Sequence, residues 1–408
     1  MFPKLRFKEF DENWKEVTLK NCITSIDSGW SPQCESYPAN SSEWGVLKTT
    51  SVDWSGFNSS FNKKLPLELT PRKEIEVKPL DILVTRAGPT ERVGVVSVVP
   101  HSVRSKLMIS DKLIRLKSNE ENNPLFLGIS LSSVKCQNQL QSKTSGLAKS
   151  QTNISQKILG EVLLKLPSKE EQTKIASFLS AVDEKISQLT KKHELLSQYK
   201  QGMMQKLFSQ QIRFKADDGS EFGEWESKTL GDVADIVGGG TPSTNNEEYW
   251  NGNVAWLTPS EINKKFIGRS KRTISEFGVQ KSSAKKLPIG TVLFTSRATI
   301  GEVAISTAQV TTNQGFQSFI VNSKILNEFL YYWIVKNKQQ FIERASGSTF
   351  LEISKSKIQP MKILLPCIEE QTKIASFLSA IDQKIEVVAQ QIEQAKQWKK
   401  GLLQNMFI

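Results

Sequence analysis

Glu-Glu-Gln-Thr-Lys-Ile-Ala-Ser-Phe-Leu-Ser-Ala runs from Glu170 to Ala181 and again, letter for letter, from Glu369 to Ala380, a shift of 199 positions. The match extends outward: Leu166-Pro167 returns as Leu365-Pro366, and Asp183-x-Lys185-Ile186 as Asp382-x-Lys384-Ile385. A looser echo lies upstream, where Arg6-Phe7-Lys8, Trp14 and Thr18-Leu19 resemble Arg213-Phe214-Lys215, Trp225 and Thr229-Leu230. A repeat as long as a domain folds around its own core, which excludes solenoids and propellers. Each half therefore reads as a globular region followed by one long helix.

The helical reading comes from spacing. Ile175, Leu179, Val182, Ile186, Leu189, His193, Leu196, Lys200, Met203 and Leu207 alternate steps of three and four, and the second copy repeats them as Ile374, Leu378, Ile381, Ile385, Val388, Ile392, Ala395, Lys399, Leu402 and Met406. A 3.5-residue period keeps one apolar stripe against a partner helix. Each helix should run for about 40 residues, roughly 60 Å, and needs an equally long partner. Its own duplicate is the obvious one, and the intervening globular region lets the second helix lie antiparallel to the first. Ser168 and Glu171 have capping-box spacing after Pro167, while Cys367 replaces the serine in copy two. Lys200 and Lys399 interrupt the seam at equivalent places, either fixing register or leading their ammonium groups out to solvent.

The expected architecture is an α+β chain with a pseudo-two-fold internal repeat: mixed α/β regions over 1–167 and 212–366, and antiparallel coiled-coil helices over 168–211 and 367–408. Strands are expected at Asp81–Thr85, Val93–Val99, Thr291–Phe294 and Val303–Ile305. A helix over Lys324–Ile342 should have its counterpart near Pro124–Leu140.

Of 408 residues, 38% are hydrophobic, enough for substantial cores. No long apolar run or secretion signal is visible, so a cytoplasmic protein without membrane association is expected. Cys22, Cys34, Cys136 and Cys367 are scattered and suggest buried free thiols rather than disulfides or zinc ligands. With His101 and His193 the only histidines, neither a histidine-rich metal centre nor a His-based triad is expected. The formal charge of +12 suits a polyanionic partner such as DNA, although a solvated lysine face would look the same.

Candidate readers of such a partner lie in paired segments. Arg86-Ala87-Gly88 and Arg297-Ala298-Thr299-Ile300-Gly301 place an arginine after a strand, where its fork could take guanine or phosphate, or simply pair with a carboxylate. Trp30-Ser31-Pro32 and Gly240-Thr241-Pro242 sit in polar loops. Ser145–Lys149 and Ser346–Phe350 form late polar turns, and Gln314 and Gln317 carry amides of the kind that pair with adenine. Gly238-Gly239-Gly240 lacks the lysine and helix of a phosphate-binding loop.

Taken together, Leu-Pro-x-x-x-Glu-Gln-x-x-Ile-Ala at Leu166–Ala176 and Leu365–Ala375, Gly239-Gly240-Thr241-Pro242-Ser243 and Thr295-Ser296-Arg297-Ala298-Thr299-Ile300-Gly301 make the chain resemble the specificity subunit of a Type I restriction-modification enzyme over essentially all its length. The resemblance implies two target-recognition domains, each reading half of a bipartite double-stranded DNA target. It implies helices that set the spacer and bind two methyltransferase subunits, with restriction subunits joining them. S-adenosylmethionine, ATP and magnesium would then be used by the partners, none being bound by this chain, which would carry no catalytic residues. No methyltransferase adenine motif, Walker A loop or nuclease carboxylate cluster is recognisable. The candidate DNA-binding set is Trp30, Ser31, Thr85, Arg86, Arg92 and Lys149 in copy one, and Thr241, Ser243, Ser296, Arg297, Thr299, Gln314, Gln317, Ser348 and Thr349 in copy two. The alternative is a stand-alone bipartite DNA-binding regulator, which leaves unexplained why Glu, Gln, Thr and Lys of the repeated dodecamer stay identical. A repeated partner surface on the helices would explain it.

Overall fold

A computed structural model describes residues 3–144, 152–347 and 351–407. The chain divides into two units, Met1–Leu189 with Gln391–Ile408, and Thr190–Gln390.

In the first unit an antiparallel sheet runs in the order Ile23–Ser28, Leu113–Ser118, Ile82–Thr85, Val96–Val98. Its central strand, Ile82–Thr85, is buried throughout, as expected for an apolar run covered on both faces. A smaller sheet sets Leu107–Met108 parallel to Gly45–Leu47, with Asn62–Lys64 on the other edge. The second unit repeats the scheme: Ala234–Gly238, Gln317–Val321, Val292–Phe294, Val303–Ser306 and Phe266–Ile267 form the larger sheet. Trp250–Leu257 runs parallel to Val310–Thr312 in the smaller one.

Both expected globular helices are split. Pro124–Leu131 and Val134–Ser142 replace one continuous helix, because the Ser132 hydroxyl donates back to the Gly128 carbonyl at 2.9 Å and Ser133 caps the next helix. Asn327–Lys336 and Lys338–Arg344 are likewise separated at Asn337, whose amide donates to the Trp333 carbonyl at 2.8 Å.

The long helices span Lys169–Phe208 and Ile368–Met406. In the first unit Ile175, Leu179 and Val182 share a core with Leu402 and Met406; in the second Met204, Leu207 and Phe208 share one with Ile374, Leu378 and Ile381. The start of each helix thus meets the end of the other, the antiparallel arrangement expected. Leu189, Val388 and Ile392 are buried, whereas Ile186, Leu196 and Ile385 are half-buried. At the end of the first helix the stripe shifts by one residue: Met204 is buried and Met203 only half-buried. A straight helix drifts from a strict 3.5 repeat, and here the drift turns Met204 and Phe208 into the second unit's core.

The seam lysines are paired rather than led out to solvent. Lys399 meets Asp183 at 2.5 Å within the first unit, and Lys200 meets Asp382 at 2.5 Å within the second. Those aspartates belong to the repeated Asp-x-Lys-Ile, so each copy supplies one charge to each pair.

The repeated Glu-Gln is buried, which corrects the expectation of an exposed partner surface there. Arg6 donates to Glu171 at 2.8 and 2.7 Å, and Arg213 to Glu370 at 3.1 and 2.7 Å. This contact raises the pKa of both guanidinium groups above the usual arginine range. It also means that Glu171 does not close the expected capping box, although its backbone N–H still donates to the Ser168 hydroxyl oxygen at 3.4 Å. Gln172 and Gln371 each donate to the preceding proline carbonyl at 3.1 and 3.0 Å and accept from the N–H of Asn123 and Leu326. Their identity between copies thus follows in part from docking each helix onto its own domain.

Candidate DNA interface

In the second unit three backbone hydrogen bonds gather the loops that follow the strands. Gly240 N–H donates to the Thr312 carbonyl at 2.8 Å, Ser296 N–H to Gly315 at 2.7 Å and Ile353 N–H to Ser296 at 3.0 Å. The Thr241 hydroxyl donates to the Gln314 side-chain carbonyl. Thr241, Ser243, Arg297, Thr299 and Gln314 are all exposed along this edge.

The first unit builds the same edge. Trp30 N–H donates to Ile109 at 3.1 Å, Arg86 N–H to Lys112 at 2.8 Å and Ile154 N–H to Arg86 at 3.0 Å. The Ser31 hydroxyl donates to the Asp111 carboxylate, and Asp111 N–H returns to Ser31 at 3.2 Å. Matched bond for bond, Trp30 corresponds to Gly240, Ser31 to Thr241 and Asp111 to Gln314. The preceding Gly29 and Gly239 are obligatory at this close approach: a Cβ would lie 1.8 Å from the Ile109 oxygen or 2.0 Å from the Asn313 oxygen.

The same matching corrects the pairing of the arginines. Arg86 corresponds to Ser296, and Ala87, which pairs with Asn153, to Arg297, which bridges Glu352. The two arginines therefore sit one residue apart in register, on opposite faces of their ladders. Arg297 Nε donates to Glu352 at 2.8 Å on the surface, the carboxylate pairing that its turn setting also allowed. Arg86 reaches the Asp111 carbonyl at 3.5 Å.

Five further candidates are wholly or partly covered. Thr85 and Ser296 are fully buried, the former donating to the Arg92 carbonyl. Arg92 is turned onto Asp53 at 2.5 Å and the Val52 carbonyl at 2.8 Å, tying down the neighbouring loop. Gln317 begins a sheet strand and is half-buried, with Oε1 shielded from solvent and lacking a hydrogen-bond partner. Trp30 is half-buried under the Arg72 guanidinium, 4.2 Å from the ring centroid. Lys149, Ser348 and Thr349 lie outside the described residues. Sequence reading missed Asp111, whose signal is visible only once the two copies are superposed by hydrogen bond rather than by letter.

Beside Ser31 a cleft of about 280 Å³ is lined by Lys48, Thr49, Lys63, Ser110 and Lys112. Such lysines attract phosphates, while side chains on the rim can reach base edges. Among the described residues no group of three or more His, Cys, Asp and Glu could hold a metal ion, and no helix is long and apolar enough to cross a membrane.

A family model described as the Type I restriction modification DNA specificity domain matches residues 12–197 and again 223–397. The specificity subunit of the type I restriction enzyme MjaIX from Methanocaldococcus jannaschii is 38% identical over 207 residues, covering 49% of this chain and 48% of that protein. The EcoEI specificity subunit from Escherichia coli is 40% identical over 171 residues, covering 41% of this chain and 29% of that one. The matches thus span about half or less of these relatives' lengths. A crystal structure of the S subunit of a type I restriction-modification system from M. genitalium shares the fold, with a TM-score of 0.62 at 17% identity over 100% of this chain and 99% of that one. Matched twice along its length by the model, the chain belongs to the Type I restriction modification DNA specificity domain family.

Proposed function

We propose that this chain is the DNA sequence-specificity subunit of a Type I restriction-modification complex. Each recognition domain reads one half of a bipartite target, and the long helices set the spacer and bind two methyltransferase subunits, which restriction subunits join. The observation that carries this reading is the family match in both copies, each of which also presents the same exposed loop edge. The net charge of +12 supports a DNA partner. In this reading the chain is non-catalytic and cytoplasmic, and S-adenosylmethionine, ATP and magnesium belong to the partner subunits. A stand-alone DNA-binding regulator would share the loops but gives no reason for membership in a restriction-modification family.

The test maps methylated adenines in a host with and without this gene, its methyltransferase subunit being present in both. A gained motif of two half-sites with a fixed spacer is expected. An unchanged methylation pattern despite co-purification of the two chains would overturn the proposal.

A further inference from the structure

We propose that Asp111 is a base-reading residue of the first domain, that Gln314 is its counterpart in the second, and that this one position sets part of the difference between the two half-sites. The inference rests on the DNA-binding reading above. Both residues occupy the same place in the hydrogen-bond register, both are exposed, and both have one side-chain oxygen held by a loop hydroxyl, Ser31 or Thr241. A side chain fixed in this way loses little rotamer freedom on binding, as a specific contact requires.

The chemistry at the two places differs. Once Thr241 fixes the Gln314 carbonyl end, the amide nitrogen remains a donor, and the pair of functions matches adenine N6 and N7. Asp111 offers only acceptors. It is next to the lysine-lined cleft, where Lys48, Lys63 and Lys112 favour approach of the DNA backbone. A carboxylate turned toward phosphate oxygens would be repelled, so in this setting its free oxygen is suited to an amino group on a base edge, such as cytosine N4. The half-site read by the first domain should therefore contain one position restricted to an amino-bearing base.

The experiment compares methylated motifs made by complexes carrying the wild-type chain, Asp111→Ala, Asp111→Asn or Ser31→Ala. Asp111→Ala should relax one position of one half-site, with discrimination there falling roughly 5- to 150-fold, and leave the other half-site unchanged. Asp111→Asn, similar in shape and able to donate as well as accept, should admit keto-bearing bases at that same position. Ser31→Ala should weaken the same preference without altering the motif elsewhere. A wild-type motif with both half-sites unaltered by Asp111→Ala, or weakened uniformly at every position, would overturn this inference while leaving the DNA-binding reading standing. Absence of any bipartite motif with the wild-type chain would overturn both.

Discussion

Glu370 is wholly buried at the start of the second long helix, where it accepts from Arg213 and also from the Trp225 indole at 3.1 Å. Two side chains make three hydrogen bonds to this one carboxylate, and removing it strands a guanidinium that is itself mostly covered. Glu370→Ala should therefore cost about 2 kcal/mol, read as a lower denaturation midpoint, whereas Ala at the exposed neighbour Glu369 should leave it within about 0.5 kcal/mol. Burial pushes the Cys22 thiol up from 9.0 to about 11. Because the folded state holds the neutral thiol to higher pH than the unfolded chain does, this contribution is present below pH 9 and is lost as pH rises from 9 towards 11. In thiol labelling at pH 8, exposed Cys367 should react in the native protein while Cys22 and Cys136 react only after unfolding. At this scale the sequence was least legible. Arg86 and Arg297 look alike as letters, yet a one-residue offset in register separates them, and no string comparison reveals which residue takes the next strand's hydrogen bond.

The long helices were legible because their heptad period persists for some forty residues, so isolated irregularities hardly blur it. Short helices have no such protection, and the serines and asparagine that break them compete with the backbone through side-chain bonds invisible in a hydropathy pattern. The polar members of the seam gain meaning only as pairs. Lys200 with Asp382 is supported further by the Tyr332 hydroxyl, which donates to Asp382 at 2.6 Å, while Lys265 donates to Tyr332 at 2.9 Å and to Glu328 at 2.6 Å. Burial and the Asp382 bond both hold the Tyr332 hydroxyl protonated far above the ordinary phenol range. A double-mutant cycle on Lys200→Ala and Asp382→Ala should give a coupling of about 1 kcal/mol, reduced by partial exposure. Additive single effects would mean that the pair does not fix helix register.

For the whole molecule, duplication was the feature read most directly from sequence, since identity over twelve residues needs no structural interpretation. Its meaning was harder to read. The buried Glu-Gln pairs show that part of this identity serves each helix's own domain, leaving exposed Glu170, Thr173 and Ser177 with their counterparts Glu369, Thr372 and Ser376 as the portion available to a repeated partner. The loops diverge between copies while keeping one backbone pattern, as expected if each domain reads a different sequence through a common frame. The central claim is that recognition and spacing are separable, the domains supplying the first and the helices the second. The most direct measurement inserts seven residues after Thr190 and seven after Ala389, two turns in each helix at equivalent positions of the repeat, and maps the methylated motif. The account predicts both half-sites unchanged and the spacer between them altered; an unaltered spacer with both half-sites still read would contradict it.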